Sequence, residues 1–286
     1  MTLPTRKLAI VTGASGGLGL EIARLLAAGG YDLALVARSQ AKLNDLAQRL
    51  VAEHGTQAQV VVLDLARPDA ADDLAARIPR CDVLVNNAGF ATNARFDRID
   101  DARIAEELTL DVVTLTRLTR KYLPGMIERR DGKILNIAST AGLLPGPFMA
   151  VYYAAKGYVI SFSQALAEEM RGTGVTVSCF CPGAMETGFA ARASTQRTLL
   201  FRMLRSDPAA MAAAAVRGMQ RGTMVNIPWP PTNWLVDVGA HLLPRRILLW
   251  LSRKAVEVND HEPAATPGAA DLHGASRGSD ADARDE

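Results

Sequence analysis

The chain has 286 residues, 49% hydrophobic and 22% charged, proportions that exclude a wholly disordered, collagen-like or disulfide-stapled protein. Thirty-two basic and thirty acidic residues leave a net charge of +2 without a clustered basic patch, so no nucleic-acid partner is expected. Charge is nevertheless uneven, because residues 259–286 carry seven acids against two arginines and no apolar periodicity, which reads as a disordered acidic tail behind a folded unit spanning 1–258.

Short apolar runs alternate with helix-length segments from residue 7 onward. Lys7–Thr12, Asp32–Ala37, Gln59–Leu63, Val83–Asn86, Lys133–Ser139 and Val175–Cys181 read as strands, and most are apolar throughout, as strands covered on both faces must be. Between them Gly19–Gly29, Gln40–Glu53, Pro68–Ile78, Asp101–Arg129 and Tyr152–Arg171 carry apolar residues at helical spacing. The pattern predicts an α/β fold: a doubly wound, Rossmann-like parallel sheet of six strands, as a single domain with a small C-terminal helical extension. Residues 184–254 are expected to supply two helices and a substrate lid. In that stretch Phe189, Leu199, Leu200, Phe201, Met203 and Leu204 fit either an apolar ligand or ordinary helix packing. Trp234–Lys254 is too interrupted to span a bilayer, and Pro244 should divide it into two short helices. Its apolar residues and four bases suit either a packed interface or peripheral contact with an anionic membrane.

Cys81, Cys179 and Cys181 form no C-x-x-C pair, and neither they nor the four histidines show zinc-ligand spacing, so buried reduced thiols and no metal are expected. The apolar run Leu8–Val11 is too short for a signal peptide, which points to a cytoplasmic protein.

Strand one runs directly into Thr12-Gly-Ala-Ser-Gly-Gly-Leu-Gly19 and then a helix. Glycines there let a phosphate approach backbone amides at a helix N-terminus, so the turn predicts dinucleotide binding. The same residues spell Gly13-x-Ser15-x-Gly17, the elbow of a serine hydrolase, a rival that would need a later acid and histidine. At the end of strand two, Ala37-Arg38 stands where an acid would bind a ribose 2′-hydroxyl. An arginine there suits a 2′-phosphate, so NADP is expected and NAD disfavoured. Tyr152 and Lys156, one turn apart on a predicted helix, form a possible acid/base pair in which the ammonium draws the phenol's pKa down from about 10. Ser139 stands just past the fifth strand and could hold the same substrate oxygen.

Together these pieces resemble the short-chain dehydrogenase/reductase family over about residues 5–190. Thr12-Gly-x-x-x-Gly-x-Gly19, Asp64-Leu65, Asn86-Asn-Ala-Gly89, Ser139, Tyr152-x-x-x-Lys156 and Pro182-Gly-x-x-x-Thr187 follow in the family's order. The resemblance implies reversible carbonyl reduction with NADP(H) on a small-molecule substrate, in a homodimer or homotetramer. It implies catalysis by Ser139, Tyr152 and Lys156, with Asp111 standing where the family keeps an asparagine that supports a proton-relay water. It implies cofactor contacts at Gly13, Ser15, Gly17, Leu18, Gly19, Arg38, Asp64, Leu65, Asn86, Ala88, Gly89, Tyr152, Lys156, Pro182, Gly183 and Thr187. A non-enzymatic NADP-binding regulator of the same fold is the remaining alternative, and the intact Ser/Tyr/Lys set argues against it.

Overall fold

Seven strands, β1 (Leu8–Thr12), β2 (Asp32–Ala37), β3 (Ala58–Val62), β4 (Val83–Asn86), β5 (Gly132–Ile137), β6 (Val175–Phe180) and β7 (Val225–Asn226), form one sheet in the order β3-β2-β1-β4-β5-β6-β7. Every pairing is parallel. This is a computed structural model, and it describes residues 6–185, 206–228, 242 and 244–256. Thr187, the apolar positions from Phe189 to Leu204, Trp234 and the tail 259–286 lie outside the described residues.

The period of two along each strand divides the core into two layers. Ala9, Val11, Leu33 and Leu35 point toward α1 (Gly17–Ala28), α2 (Gln40–His54) and α7 (Pro208–Arg221), where Ile22, Leu26, Leu46 and Met219 meet them. Ile10, Ala34, Val36, Leu84 and Ile134 point the other way, toward α3 (Ala70–Arg77), α5 (Leu115–Glu128) and α6 (Ala150–Glu169) and their Leu74, Leu118, Met126 and Leu166. Each large apolar side chain buried in this way stabilises the fold by ~1.5–3 kcal/mol before entropy is counted. Among the described residues the remaining α-helices are α4 (Asp101–Leu108) and α8 (Arg245–Val256).

Two features differ from the expectation. Six strands were legible, but β7 is only two residues long, held by Cys179 opposite Val225 and Phe180 opposite Asn226, and so short a strand leaves no periodicity. The helix expected over Asp101–Arg129 is not continuous: a π-helical turn, Thr109–Thr114, separates α4 from α5. The run Val112-Val113-Thr114 is β-branched and poorly suited to a regular α-helix, and π turns concentrate where a side chain must be re-aimed for function. Of the two C-terminal helices, α7 opens on Asp207, which accepts from the amides of Ala209 and Ala210 (3.3 and 3.1 Å), and stops at Gly222, φ +67°. A helix begins directly after Pro244, as the expected division requires, while most of the segment before Pro244 lies outside the described residues.

Candidate active site

The residues singled out in the sequence follow the C-terminal ends of successive strands, around the switch point where β1 and β4 pair and the chain turns to the other half of the sheet. The glycine turn follows β1. Gly13 and Gly17 have φ of +68° and +56°, a region closed to most side chains. A Cβ on Gly13 would lie 2.7 Å from Asn87 Nδ2, and one on Gly19 would lie 2.5 Å from the Gly13 carbonyl oxygen. Thr12 Oγ1 accepts from the amides of Asn87 (2.9 Å) and Ala88 (3.0 Å), and Asn87 Nδ2 donates to the Thr12 carbonyl at 2.8 Å. These bonds fasten the turn to the loop after β4. Ser15 is half-buried on the turn and Leu18 is buried beneath it. A Cβ on Gly16 would meet no atom within 4 Å, and the first turn of α1 contains no acid. Open space in front of helix N-terminal amides, free of negative charge, fits a pyrophosphate.

Arg38 follows β2, exposed, with Nη1 3.8 Å from Glu106 Oε1 and 4.0 Å from Asp64 Oδ2. Beside it Ser39 starts α2 without a capping hydrogen bond from its side chain, and the first turn of α2 has no acid. Asp64 Oδ1 accepts from the amide of Ala66 at 3.0 Å. Leu65 is buried, and its carbonyl accepts from Thr114 Oγ1 at 2.8 Å. Asn86 turns its side-chain amide inward, donating to Asn136 Oδ1 (2.9 Å) and Thr119 Oγ1 (3.1 Å), while Asn136 donates to Ser163 Oγ (2.9 Å). Its side chain therefore joins β4 to β5 and α5, and through Asn136 to α6.

Beyond β5, Ser139 caps a short 3-10 turn, accepting from the amide of Ala141 at 3.1 Å, and its hydroxyl lies 3.4 Å from the Pro182 carbonyl after β6. Gly183 continues that loop. Tyr152 and Lys156 lie one turn apart in α6 and are both buried. Lys156 Nζ is 5.5 Å from the centre of the Tyr152 ring, donates to the Ile137 carbonyl at 3.3 Å, and stands 3.0 Å from Asp111 Oδ2. Asp111 comes from the π turn, and its Oδ1 accepts from the amide of Phe90 at 3.1 Å. A Cβ on Gly89 would lie 2.9 Å from that same oxygen, so glycine at 89 is what lets the carboxylate lie against the loop. An apolar group of Ala91, Met149, Tyr153 and Val256 surrounds Tyr152, and Val256 brings the end of α8 to the site.

The electrostatics correct one expectation. The Tyr152 pKa is raised, not lowered: burial pushes it up, Asp111 and Glu107 add to the rise, and Lys156 and the Ser139 hydroxyl only partly oppose it. Burial is the main reason, and the ion pair adds to it. Lys156 loses stability to burial, but Asp111 and Tyr152 more than restore its proton, so its pKa is raised as well. Lys156 is the strongest pull toward the phenolate, but Asp111, 3.0 Å from its ammonium, pushes the other way and burial outweighs it. Asp111 itself is pushed up by burial, against the pull of Lys156.

Residues 7–198 match the family model described as short chain dehydrogenase. The chain belongs to the short-chain dehydrogenase/reductase family. It is 36% identical over 181 residues to the very-long-chain 3-oxoacyl-CoA reductase of Anas platyrhynchos, covering 61% of this chain and 58% of that protein. It is 34% identical over 227 residues to nodulation protein G of Rhizobium sp. strain N33, covering 78% and 86%. The chain thus spans about three-fifths of the length of the long-chain reductases it matches. Among solved structures it resembles a short-chain dehydrogenase from Sphingobium yanoikuyae in complex with NADPH, with TM-score 0.74, 32% identity, and 82% of this chain and 93% of that one covered. It also resembles the bulky-bulky ketone specific alcohol dehydrogenase from Comamonas testosteroni, with TM-score 0.70, 26% identity, and 82% and 92% covered.

Within this dehydrogenase fold the hydrolase alternative finds no support in the described residues. Ser15 lies at the C-terminal edge of the sheet, whereas His54, the one histidine described, ends α2 at the opposite edge beside Glu53; His241 lies outside the described residues. The sequence reading quoted Thr12 and Asn87 within motifs without giving them a role, though they fix the glycine turn, and it left out Ser39 and Glu106, which flank Arg38. It also left out Glu107, a buried acid next to the Asp111–Lys156 pair.

Proposed function

We propose that this dehydrogenase reduces a carbonyl on an apolar, bulky or long-chain substrate with NADPH, and that Tyr152 delivers the proton. The observation that carries the reading is the buried set of Tyr152, Lys156 and Asp111, placed beside the open glycine turn with Ser139 facing Tyr152. Bound NADPH would supply the hydride. The chain's own residues do the rest. Ser139 orients the carbonyl oxygen, and Tyr152, kept protonated at neutral pH by its raised pKa, gives its proton to that oxygen as charge develops there. A phenol held in its acid form suits reduction better than oxidation. Support for NADP over NAD comes from Arg38, the uncapped start of α2 and the absence of acid in its first turn, a setting for a 2′-phosphate. Support for the substrate class comes from the apolar side chains around Tyr152 and from relatives named for long-chain acyl and bulky ketone substrates.

The test is NADPH oxidation with a panel of 3-oxoacyl thioesters, steroid ketones and small aldehydes, for the wild type and Tyr152→Phe. Phenylalanine keeps the ring's packing and removes the proton, so kcat should fall by ~10²–10⁴-fold with NADPH binding preserved. Activity within a few-fold of wild type would sink the assignment of Tyr152.

A further inference from the structure

Glu107 is a buried acid to which the chemistry above gives no task. It is 1% exposed and is the buried residue of α4. Its Oε1 has no hydrogen-bond partner of good geometry, and neither has the buried Oγ1 of Thr92 beside it, after β4. Arg103, one turn earlier, is engaged elsewhere: its Nη1 donates to Glu106 Oε2 at 2.7 Å, and its guanidinium carbon lies 3.8 Å from the centre of the Phe90 ring. The other charged or titratable groups facing Glu107 are Asp111 of the π turn and Tyr152 of α6, with Lys156 behind them. A buried carboxyl with one oxygen unbonded is held against its desolvation, which packing alone does not justify.

Charge balance shows what it can do. With Glu107 ionised, the site holds two carboxylates against one ammonium, next to a phenol that must pass through its phenolate. With Glu107 protonated, the site is neutral.

We propose that Glu107 is part of the proton relay, holding a proton for Tyr152 and acting through Asp111 and Lys156. This rests on the assignment of Tyr152 as the acid. In reduction the Tyr152 O–H bond breaks as the O–H bond of the alcohol forms. The phenolate regains a proton from Lys156, the amine regains one from the carboxyl pair, and the pair regains one from water, so one proton is taken up per carbonyl reduced. Glu107 touches no reacting atom; it positions charge and supplies the proton behind those that do. Its ionisation falls in the working range: burial pushes its pKa up to about 7, Asp111 adds to the rise, and Thr92 and Arg103 oppose it.

The experiment is the pH profile of kcat/KM for carbonyl reduction in the wild type, Glu107→Gln and Glu107→Asp. The wild type should lose on the order of tenfold per pH unit above neutrality as Glu107 ionises. Glu107→Gln should lose that limb and have a lower kcat at neutral pH, with the KM for NADPH within about twofold. Glu107→Asp should restore the limb. A purely structural Glu107 would change stability and leave the shape of the profile alone, and a Glu107→Gln profile superimposable on wild type overturns the proposal. A readout without turnover is the infrared carbonyl band of a protonated carboxyl at mildly acidic pH, expected in the wild type and missing from Glu107→Gln. A wild type without such a band also overturns the proposal, whether or not the variants fold. If Tyr152→Phe stays active, the parent assignment fails; if Tyr152→Phe is inactive while Glu107→Gln keeps the wild-type profile, only the relay role fails.

Discussion

Arg38 stands just past β2 between Asp64 and Glu106, both at the outer limit of ion pairing. Neither acid closes a hydrogen bond on it, so a phosphate dianion can take the guanidinium with little to displace. Arg38→Asp would set three acids around that position and repel a 2′-phosphate. The preference for NADPH over NADH, as the ratio of kcat/KM values, should fall by ~10–100-fold, the worth of one charged hydrogen bond. An unchanged ratio in steady-state kinetics would remove Arg38 from cofactor selection. At this scale Tyr152, Lys156 and Ser139 were legible as candidates from their spacing on one helix and one strand end, and the fold brings the three together. Glu107 was not singled out, although a signal was present. Glu107, Asp111, Thr114 and Leu118 recur at three-to-four spacing and all are buried, so two acids sit on the stripe that should be apolar. The tyrosine's electrostatics were misjudged for a related reason: spacing places Lys156 near Tyr152, but only the fold buries the phenol and, through the π turn, brings Asp111 beside the ammonium.

The elements themselves were read well wherever hydrophobic periodicity was strong. Asp32–Ala37 and Val83–Asn86 have the expected bounds, because strands buried on both faces leave uninterrupted apolar runs. The π turn was missed because periodicity over 101–129 continues through it, and the insertion shows only as a β-branched cluster. Helix α8 starts directly after Pro244, while the helix expected before it falls largely outside the described residues, and α8 divides its faces unevenly. Leu248, Ser252 and Val256 turn inward at helical spacing, while Ile247, Leu249, Trp250 and Leu251 are exposed. The helix contains Arg245, Arg246, Arg253 and Lys254 and no acid. An exposed tryptophan among aliphatic side chains and bases is the composition of an interfacial helix on an anionic bilayer. No helix among the described residues is long and apolar enough to cross a membrane. The protein is expected to sediment with anionic liposomes at low salt, more weakly after Trp250→Ser with Leu251→Ser. Wild-type protein left wholly in the supernatant would mean that this face serves packing instead.

On the scale of the whole molecule, the doubly wound parallel sheet followed from six apolar runs separated by helices, whereas the strand order β3-β2-β1-β4-β5-β6-β7 came only with the structure. Stability should carry the mark of the site. The Glu107 pKa rises from 4.5 to about 7 on folding, so the folded chain binds a proton that the unfolded chain has lost. Its contribution is therefore fully present below about 4.5 and lost as pH rises through about 7. Between mildly acidic and mildly alkaline buffer the wild type should lose several degrees of melting temperature, at ~2–4 °C per kcal/mol for a domain of this size. Glu107→Gln should lose less over the same interval, and parallel curves would show that Glu107 titrates alike in both states. The bonds from Thr12 to Asn87 and Ala88 have a consequence of the same reach. They join the ends of β1 and β4, from which the chain departs toward opposite edges of the sheet. A nucleotide gripping the glycine turn would hold both halves by one seam, so its binding energy should suppress fraying at both edges and slow amide hydrogen exchange across all seven strands together.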